Sequence, residues 1–333
     1  MKYSMRRIAR FLLVIVAFAV FAASASADQA SALVAQAMDR QLPESKIEFN
    51  GTLPQAIQKF GDLTAVTIET DNSVYDVLPW GDLTTFSARF EHLTLRQAIN
   101  AICVKLGLQY ELQSTGVVLR PQPALLRLGR RCTVGELAWI DLLGETSLQP
   151  KSERMSATAL IDQIDARLSK TPLAVEDRAF DAANDPDVAI ARNATLIEAL
   201  EALPLQTDGT WYPWGRRIVV LRKRDQVRML LARKITLRYN NDDVANVLLD
   251  LAQRSSADFR FQPGALQHIP PQFRSIHLDS DNATIEQTIE SLCGLTGLAY
   301  DVEDDGVHFW MPADSTAATQ PMNASAASTQ PAN

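Results

Sequence analysis

Apolar residues fall at helical spacing along much of this chain, and the pattern itself repeats. After Leu93 they occupy Leu95, Ala98, Ile99, Ile102, Cys103 and Leu106. These are the i, i+3, i+4, i+7, i+8 and i+11 positions of one helix face. From Ala283 the same face returns without a gap as Ile285, Thr288, Ile289, Leu292, Cys293 and Thr296, and a shorter copy places Leu196, Ala199, Leu200 and Leu203 in the middle of the chain. All three begin with a capping box: Thr94-x-x-Gln97, Thr195-x-x-Glu198 and Thr284-x-x-Gln287. There Thr accepts from a backbone N–H, and Gln or Glu reaches back to the cap.

The surrounding pattern predicts a larger unit. Gly107 and Gly297 stand where a helix ends in a left-handed cap. Leu108–Leu112 and Leu298–Val302 alternate as half-buried strands, and Gly116 and Gly306 mark hairpin turns into returning strands at Val117–Leu119 and Val307–Phe309. In the middle copy the turn widens to Asp208–Gly215 ahead of Ile218–Leu221. Upstream of each capped helix lies a second one, marked by Leu53, Ala56, Ile57 and Phe60, by Ile161, Ile164 and Leu168, or by Val244, Leu248 and Leu251. Short strands precede and follow that helix, and another enters the capped one at Phe86–Phe90, Val188–Ala191 or Ser275–Leu278. The expected unit is βαββαββ, an α+β domain with two helices packed on a small mixed sheet.

Three such units are expected, over 46–121, 146–224 (a divergent copy) and 234–313. Residues 28–45 form an N-terminal helix and linker, with Ser31–Leu42 helical through Leu33, Val34, Ala37 and Met38. Residues 122–145 fit no copy and are expected to be a connector with its own packing, including a short helix carrying Leu137, Trp139 and Ile140; 225–233 is expected to be a linker. Residues 314–333 are mainly Ser, Thr, Ala, Gln, Asn and Pro, a composition that does not bury a core. As the last strand of each unit, Val117–Arg120 and Val307–Trp310 are candidate open sheet edges.

The first 27 residues change the cellular picture. Lys2, Arg6, Arg7 and Arg10 precede an unbroken apolar run, Phe11–Ala22, and Ala25-Ser26-Ala27 suits signal cleavage. The run is short for a membrane span. The expectation is an exported, periplasmic protein whose mature chain has no transmembrane span; a retained N-terminal anchor is the other reading. The whole chain of 333 residues has net charge −7, and losing the four positive charges of the leader leaves −11. An acidic mature chain is a poor nucleic-acid binder. The three cysteines include Cys103 and Cys293 at equivalent repeat positions, which would be far apart in separate domains, so buried packing rather than a disulfide is expected.

The segments LTLRQAINAICVKLGLQYELQSTGVVLRP and DNATIEQTIESLCGLTGLAYDVEDDGVHFW resemble the short N-terminal domain of secretins and TonB-dependent receptors, the STN domain. What carries the resemblance is the capped helix, Gly-Leu, aromatic strand and Gly turn. It implies a periplasmic module that docks onto other proteins or onto copies of itself, and it brings no catalytic residues. No outer-membrane barrel pattern follows Pro312 in this sequence, so neither channel nor receptor activity is implied.

Candidate chemistry is sparse. His92, His268, His277 and His308 have no metal-binding helical spacing, and no HExxH, CxxC, GxSxG or phosphate loop occurs. Asp301, Glu303, Asp304 and Asp305 form an acidic hairpin, either a solvated turn or a cation site. Two features are candidates for binding. One is the aromatic turn Trp211, Tyr212 and Trp214, followed by Arg216 and Arg217; the other is the basic junction Arg216–Lys234, which includes Arg222, Lys223 and Arg224 and holds eight Lys or Arg in 19 residues. Trp and Arg anchor interfaces, though the same aromatics can cap the domain's own core. The expected function is a non-enzymatic adaptor or scaffold without cofactors. It would act through envelope proteins or self-association, in a secretion or transport complex. A cell-wall or polysaccharide-binding protein using the aromatic turn is the alternative.

Overall fold

The structure, a computed structural model, describes residues 31–312. The expected signal (1–27) and polar tail (314–333) lie outside the described residues. The chain divides into two compact units with the boundary between Arg222 and Lys223. The first two repeats share the first unit, and the third repeat forms the second.

The βαββαββ order recurs three times, with one topology. In the first repeat Lys46–Thr52 pairs antiparallel with Thr85–Glu91. Helices Leu53–Thr64 and Leu95–Leu106 follow those strands in turn. Gly116–Pro121 is the central strand of a three-stranded sheet, parallel to Thr67–Thr70 and antiparallel to Leu108–Gln113. The second repeat pairs Arg154–Ser156 with Asp187–Ala189, and sets Arg217–Arg222 between Ala174–Asp177 and Gly209–Trp214. The third pairs Lys234–Asp243 with Ser275–Thr284, and sets Gly306–Trp310 between Phe259–Phe261 and Ala299–Glu303.

Two expectations about the sheet change. The strands of each repeat divide into a two-stranded antiparallel ladder and a three-stranded mixed sheet. The last strand is central in that mixed sheet, so Val117–Arg120 and Val307–Trp310 are not open edges. Both of their sides are taken, by an earlier parallel strand and by the hairpin partner. Gly116 and Gly306 accordingly do more than follow a turn. A side-chain carbon at either would lie 2.2 Å from the carbonyl oxygen of Thr67 or Asp258 on the parallel strand, and Gly306 also has φ +139°. Only hydrogen fits there.

The caps form as the sequence implies. Thr94 Oγ1 accepts from Gln97 N at 3.2 Å while Gln97 Oε1 accepts from Thr94 N at 2.9 Å, with matching pairs at Thr195–Glu198 and Thr284–Gln287. The apolar faces are buried apart from the half-buried Cys293, and they include the odd members Thr288 and Thr296, whose hydroxyls donate to the carbonyls of Thr284 and Leu292 in the preceding turn.

The connector and the linker are members of a recurring element. Val134–Glu145 and Lys223–Leu231 are helices, and so are residues 31–38. Each one leads a repeat. After it, an extended segment joins the first residues of the capped helix: Leu42 N–H donates to Leu93 O and Leu95 N–H to Arg40 O; Leu148 donates to Ala194 O and Leu196 to Thr146 O; Ile285 donates to Arg233 O. Val227, Leu230 and Leu231 are buried in the same core as Leu248, Leu251, Ile289 and Phe309. The module is therefore αβαββαββ, one helix longer than its pattern predicts.

Gly306→Ala should destabilise the second unit by about 3 kcal/mol, because both the contact and the dihedral are wrong for a methyl group. Gly294→Ala is the control, at a helical position with nothing within 4 Å, and should be neutral or stabilise by up to about 1 kcal/mol. Denaturant unfolding of the two variants checks both.

Candidate interaction site

The aromatic turn sits on the hairpin Gly209–Trp214/Arg217–Arg222, whose turn is Gly215-Arg216. Five of the six residues in the first strand are buried, because helix Leu196–Gln206 and the helices of the 123–145 segment both pack against it. A strand covered on both faces buries its side chains regardless of alternation. Trp211 and Tyr212 are thus buried core residues. Trp214 reaches the surface, 40% exposed, with its ring edge-on to Tyr212 and 4.5 Å from the Arg130 guanidinium carbon.

Glu136 organises the turn. It is the Glu of a further capping box, Thr133-x-x-Glu136. At the other three caps considered above the Gln or Glu serves its own helix at the surface; Glu136 is 1% exposed. One of its oxygens accepts from Arg130 Nη2 at 2.7 Å and Gly215 N at 2.9 Å, the other from Arg130 Nη1 at 2.9 Å and Thr133 N at 2.8 Å. Burial pushes its carboxyl up, but the Arg130 guanidinium and the N–H groups of Gly215 and Thr133 outweigh it and hold it below the usual carboxylate range. One turn along the same helix, Trp139 Nε1 donates to Gly215 O at 2.9 Å. Arg127 forks onto Glu201 at 2.9 and 2.8 Å and donates to Trp211 O at 3.2 Å. The turn is therefore held by the segment expected to be a connector with its own packing. Arg130 and Glu136 lie outside the candidate residues that the sequence singles out, and Trp139 enters there only as part of a packed helix. The signal for them was a fourth Thr-x-x-Glu spacing with Trp139 one turn later.

The basic residues are divided between the two units. Arg216 is exposed at the turn. Arg217 pairs with Glu176 at 2.8 Å on the neighbouring parallel strand. Arg222 ends the first unit, while Lys223 and Arg224 begin the second. Arg224 pairs at 3.5 Å with Asp301 of the acidic hairpin. In that hairpin the ligand atoms of Glu303, Asp305 and His308 lie within 4.8 Å of one another. Asp305 accepts from His308 Nε2 at 2.7 Å and also from Arg260. His308, with Arg260 adding its charge, holds Asp305 below the usual carboxylate range. Arg260 and Arg224 thus pair with Asp305 and Asp301, and His308 adds a hydrogen bond to Asp305, so these side chains form a surface polar network.

All three cysteines are free, and burial pushes each thiol up to about 12. Thiols so raised are poor nucleophiles.

Comparison with family models, with curated proteins and with solved structures finds no match for this chain.

Two outcomes follow for the turn. Glu136→Ala leaves the Gly215 and Thr133 N–H groups and Arg130 without their acceptor, and should cost about 2 kcal/mol in denaturant unfolding. Because folding lowers the Glu136 pKa, this stabilisation is complete above the ordinary value of 4.5 and is lost as pH falls through that value and the lower folded one. Glu136→Gln should therefore flatten the acid limb of a stability–pH curve. Separately, the buried Trp211 indole N–H has no hydrogen-bond partner among the described residues. Trp211→Phe should cost under about 1.5 kcal/mol, since it removes an unsatisfied donor along with some packing, whereas Trp211→Ala should cost about 4 kcal/mol.

Proposed function

We propose that this chain is a non-enzymatic, exported adaptor that acts by protein–protein contacts through tandem modules of the secretin/TonB short-domain type, in an envelope secretion or transport complex. The observation that carries the reading is the turn Trp214–Arg217. Its backbone N–H and C=O at Gly215 are both fixed, by Glu136 and by Trp139, while the Trp214 ring and the Arg216 side chain are presented outward. A rigid aromatic–arginine anchor loses little entropy on binding, and such residues dominate interface energetics.

The export part rests on Phe11–Ala22 and the small residues after it. Among the described residues no helix is long and apolar enough to cross a membrane. The family part rests on the threefold βαββαββ order and on the Gly-Leu and Gly-turn positions.

The test is capture from envelope extracts by the full chain and by Trp214→Ala. Because Trp214 is partly exposed, the variant should fold. Defined proteins captured by the parent and lost by at least tenfold with Trp214→Ala support the reading. Retention on peptidoglycan or a glycan resin that Trp214→Ala abolishes, with no protein captured, would replace it with the carbohydrate-binding alternative.

A further inference from the structure

The chain shows how one module joins the next, and a counterpart of that joint stands open. Helix Val134–Glu145, which leads the second module, covers the C-terminal end of helix Leu95–Leu106 in the first. Lys105 Nζ pairs with Asp141 at 3.1 Å. Val104 lies against Gly144, where a side-chain carbon would meet Val104 Cγ1 at 3.0 Å. Gly107 is packed under Leu125, Ile140 and Leu137. The other side of the same leading helix faces its own module, through Glu136 and Trp139 at the Gly215 turn. It is buried on two sides because it joins two modules.

In the gap-free alignment of the first and third modules, Val104, Lys105 and Gly107 become Gly294, Leu295 and Gly297. Among the described residues this face of helix Ile285–Thr296 has no cover. Nothing lies within 4 Å of a carbon built on Gly294, only Met311 Sδ comes as near as 4.0 Å at Gly297, and Leu295 is 47% exposed. Cys293 is half-buried where its equivalent Cys103 is buried. The change from Lys105 to Leu295 also replaces the charge used across the first joint by an apolar side chain. From Ala313 to Asn333 the only large apolar side chain is Met322, so that stretch lacks the Leu137, Ile140, Leu143 pattern of a covering helix.

We infer that this face receives a second copy of the chain, head to tail, through the leading helix of its first module at residues 31–38. That helix is the counterpart of Val134–Glu145, which covers the equivalent face inside the chain. It also presents an apolar side chain outward: Met38 is buried in its own module, while Leu33, about 140° away around the helix, is 62% exposed. The other two leading helices do not offer this. The one at Val134–Glu145 is already buried on both sides, and Lys223–Leu231 turns Arg224, Asp225 and Arg228 outward. A contact between different faces is heterologous and continues into chains or rings. It names a partner for the adaptor reading above and rests on that reading's premise that these modules act by docking.

The experiment is sedimentation analysis of the full chain over a wide concentration range, with Leu295→Asp and Leu33→Asp. Both leucines are exposed, so circular dichroism should be unchanged. The parent should gain mass with concentration, and each variant should raise the dissociation constant about tenfold or more. An equimolar mixture of the two should form a complex that stops at two chains, since each retains one intact face. A parent that stays monomeric, an unaffected Leu295→Asp, or a mixture that forms nothing while the parent associates would overturn the inference. A monomeric parent that still captures defined envelope proteins would overturn it alone and leave the adaptor reading standing. Self-association without other captured proteins would do the reverse.

Discussion

Each module depends on a short backbone ladder at the start of its capped helix. The N-cap Thr is extended, so its neighbours can pair with the segment that leaves the leading helix. At Leu93–Leu95 this takes two hydrogen bonds with Arg40–Leu42, and at Ala194–Leu196 two with Thr146–Leu148. The capping box keeps that geometry, because the Gln or Glu side chain occupies the cap N–H that would otherwise seek another partner. Once the ladder is set, the direction of the leading helix, the start of the capped helix and the entry of the first ladder strand are fixed relative to one another. The remaining strands then have one face left to cover.

The leading helix is where the modules diverge. Lys223–Leu231 is apolar on one side only, with Val227, Leu230 and Leu231 inward. Val134–Glu145 buries Leu137, Ile140 and Leu143, and even Glu136. An amphipathic helix can close one core; a helix apolar on two sides must lie between two. That difference accounts for the first two modules forming one compact unit while the third forms its own. It also explains the burial of a carboxylate. Glu136 lies on the side of the helix that meets its own module, where the Gly215 turn closes over it and takes it away from water. It stays charged because Arg130 and two backbone N–H groups replace the water.

The helices were legible in the sequence because helical periodicity and the capping box are local signals, contained within a dozen residues around Thr94, Thr195 and Thr284. Strand order was not. Whether Gly116–Pro121 is an edge or a centre depends on Thr67–Thr70, nearly fifty positions earlier, and the trace it left, a glycine facing a carbonyl, looks from sequence like an ordinary turn. The candidate site was legible in part. Trp211-Tyr212-Pro213-Trp214 stands out as aromatic, but which rings are buried is decided by Val134–Glu145, a segment outside the alignment of repeats. Its Thr133-x-x-Glu136 spacing matched the other caps, yet with no strand pattern around it the match carried no sign of being a module boundary.

Repetition also constrains where function can reside. The positions shared by all copies are the helix faces, the caps and the strand centres, and these are consumed by the core. What differs between copies stays at the surface, as at Trp214 and Arg216 in the second module or at Leu295 in place of Lys105 in the third. Both differences fall on surfaces next to a leading helix. In one the helix pins a turn, and in the other the equivalent helix is missing among the described residues. The leading helix, which is the least conspicuous element in the sequence pattern, is therefore the part that converts a repeated fold into distinct surfaces: Val134–Glu145 packs outward as well as inward, whereas Lys223–Leu231 turns charge outward.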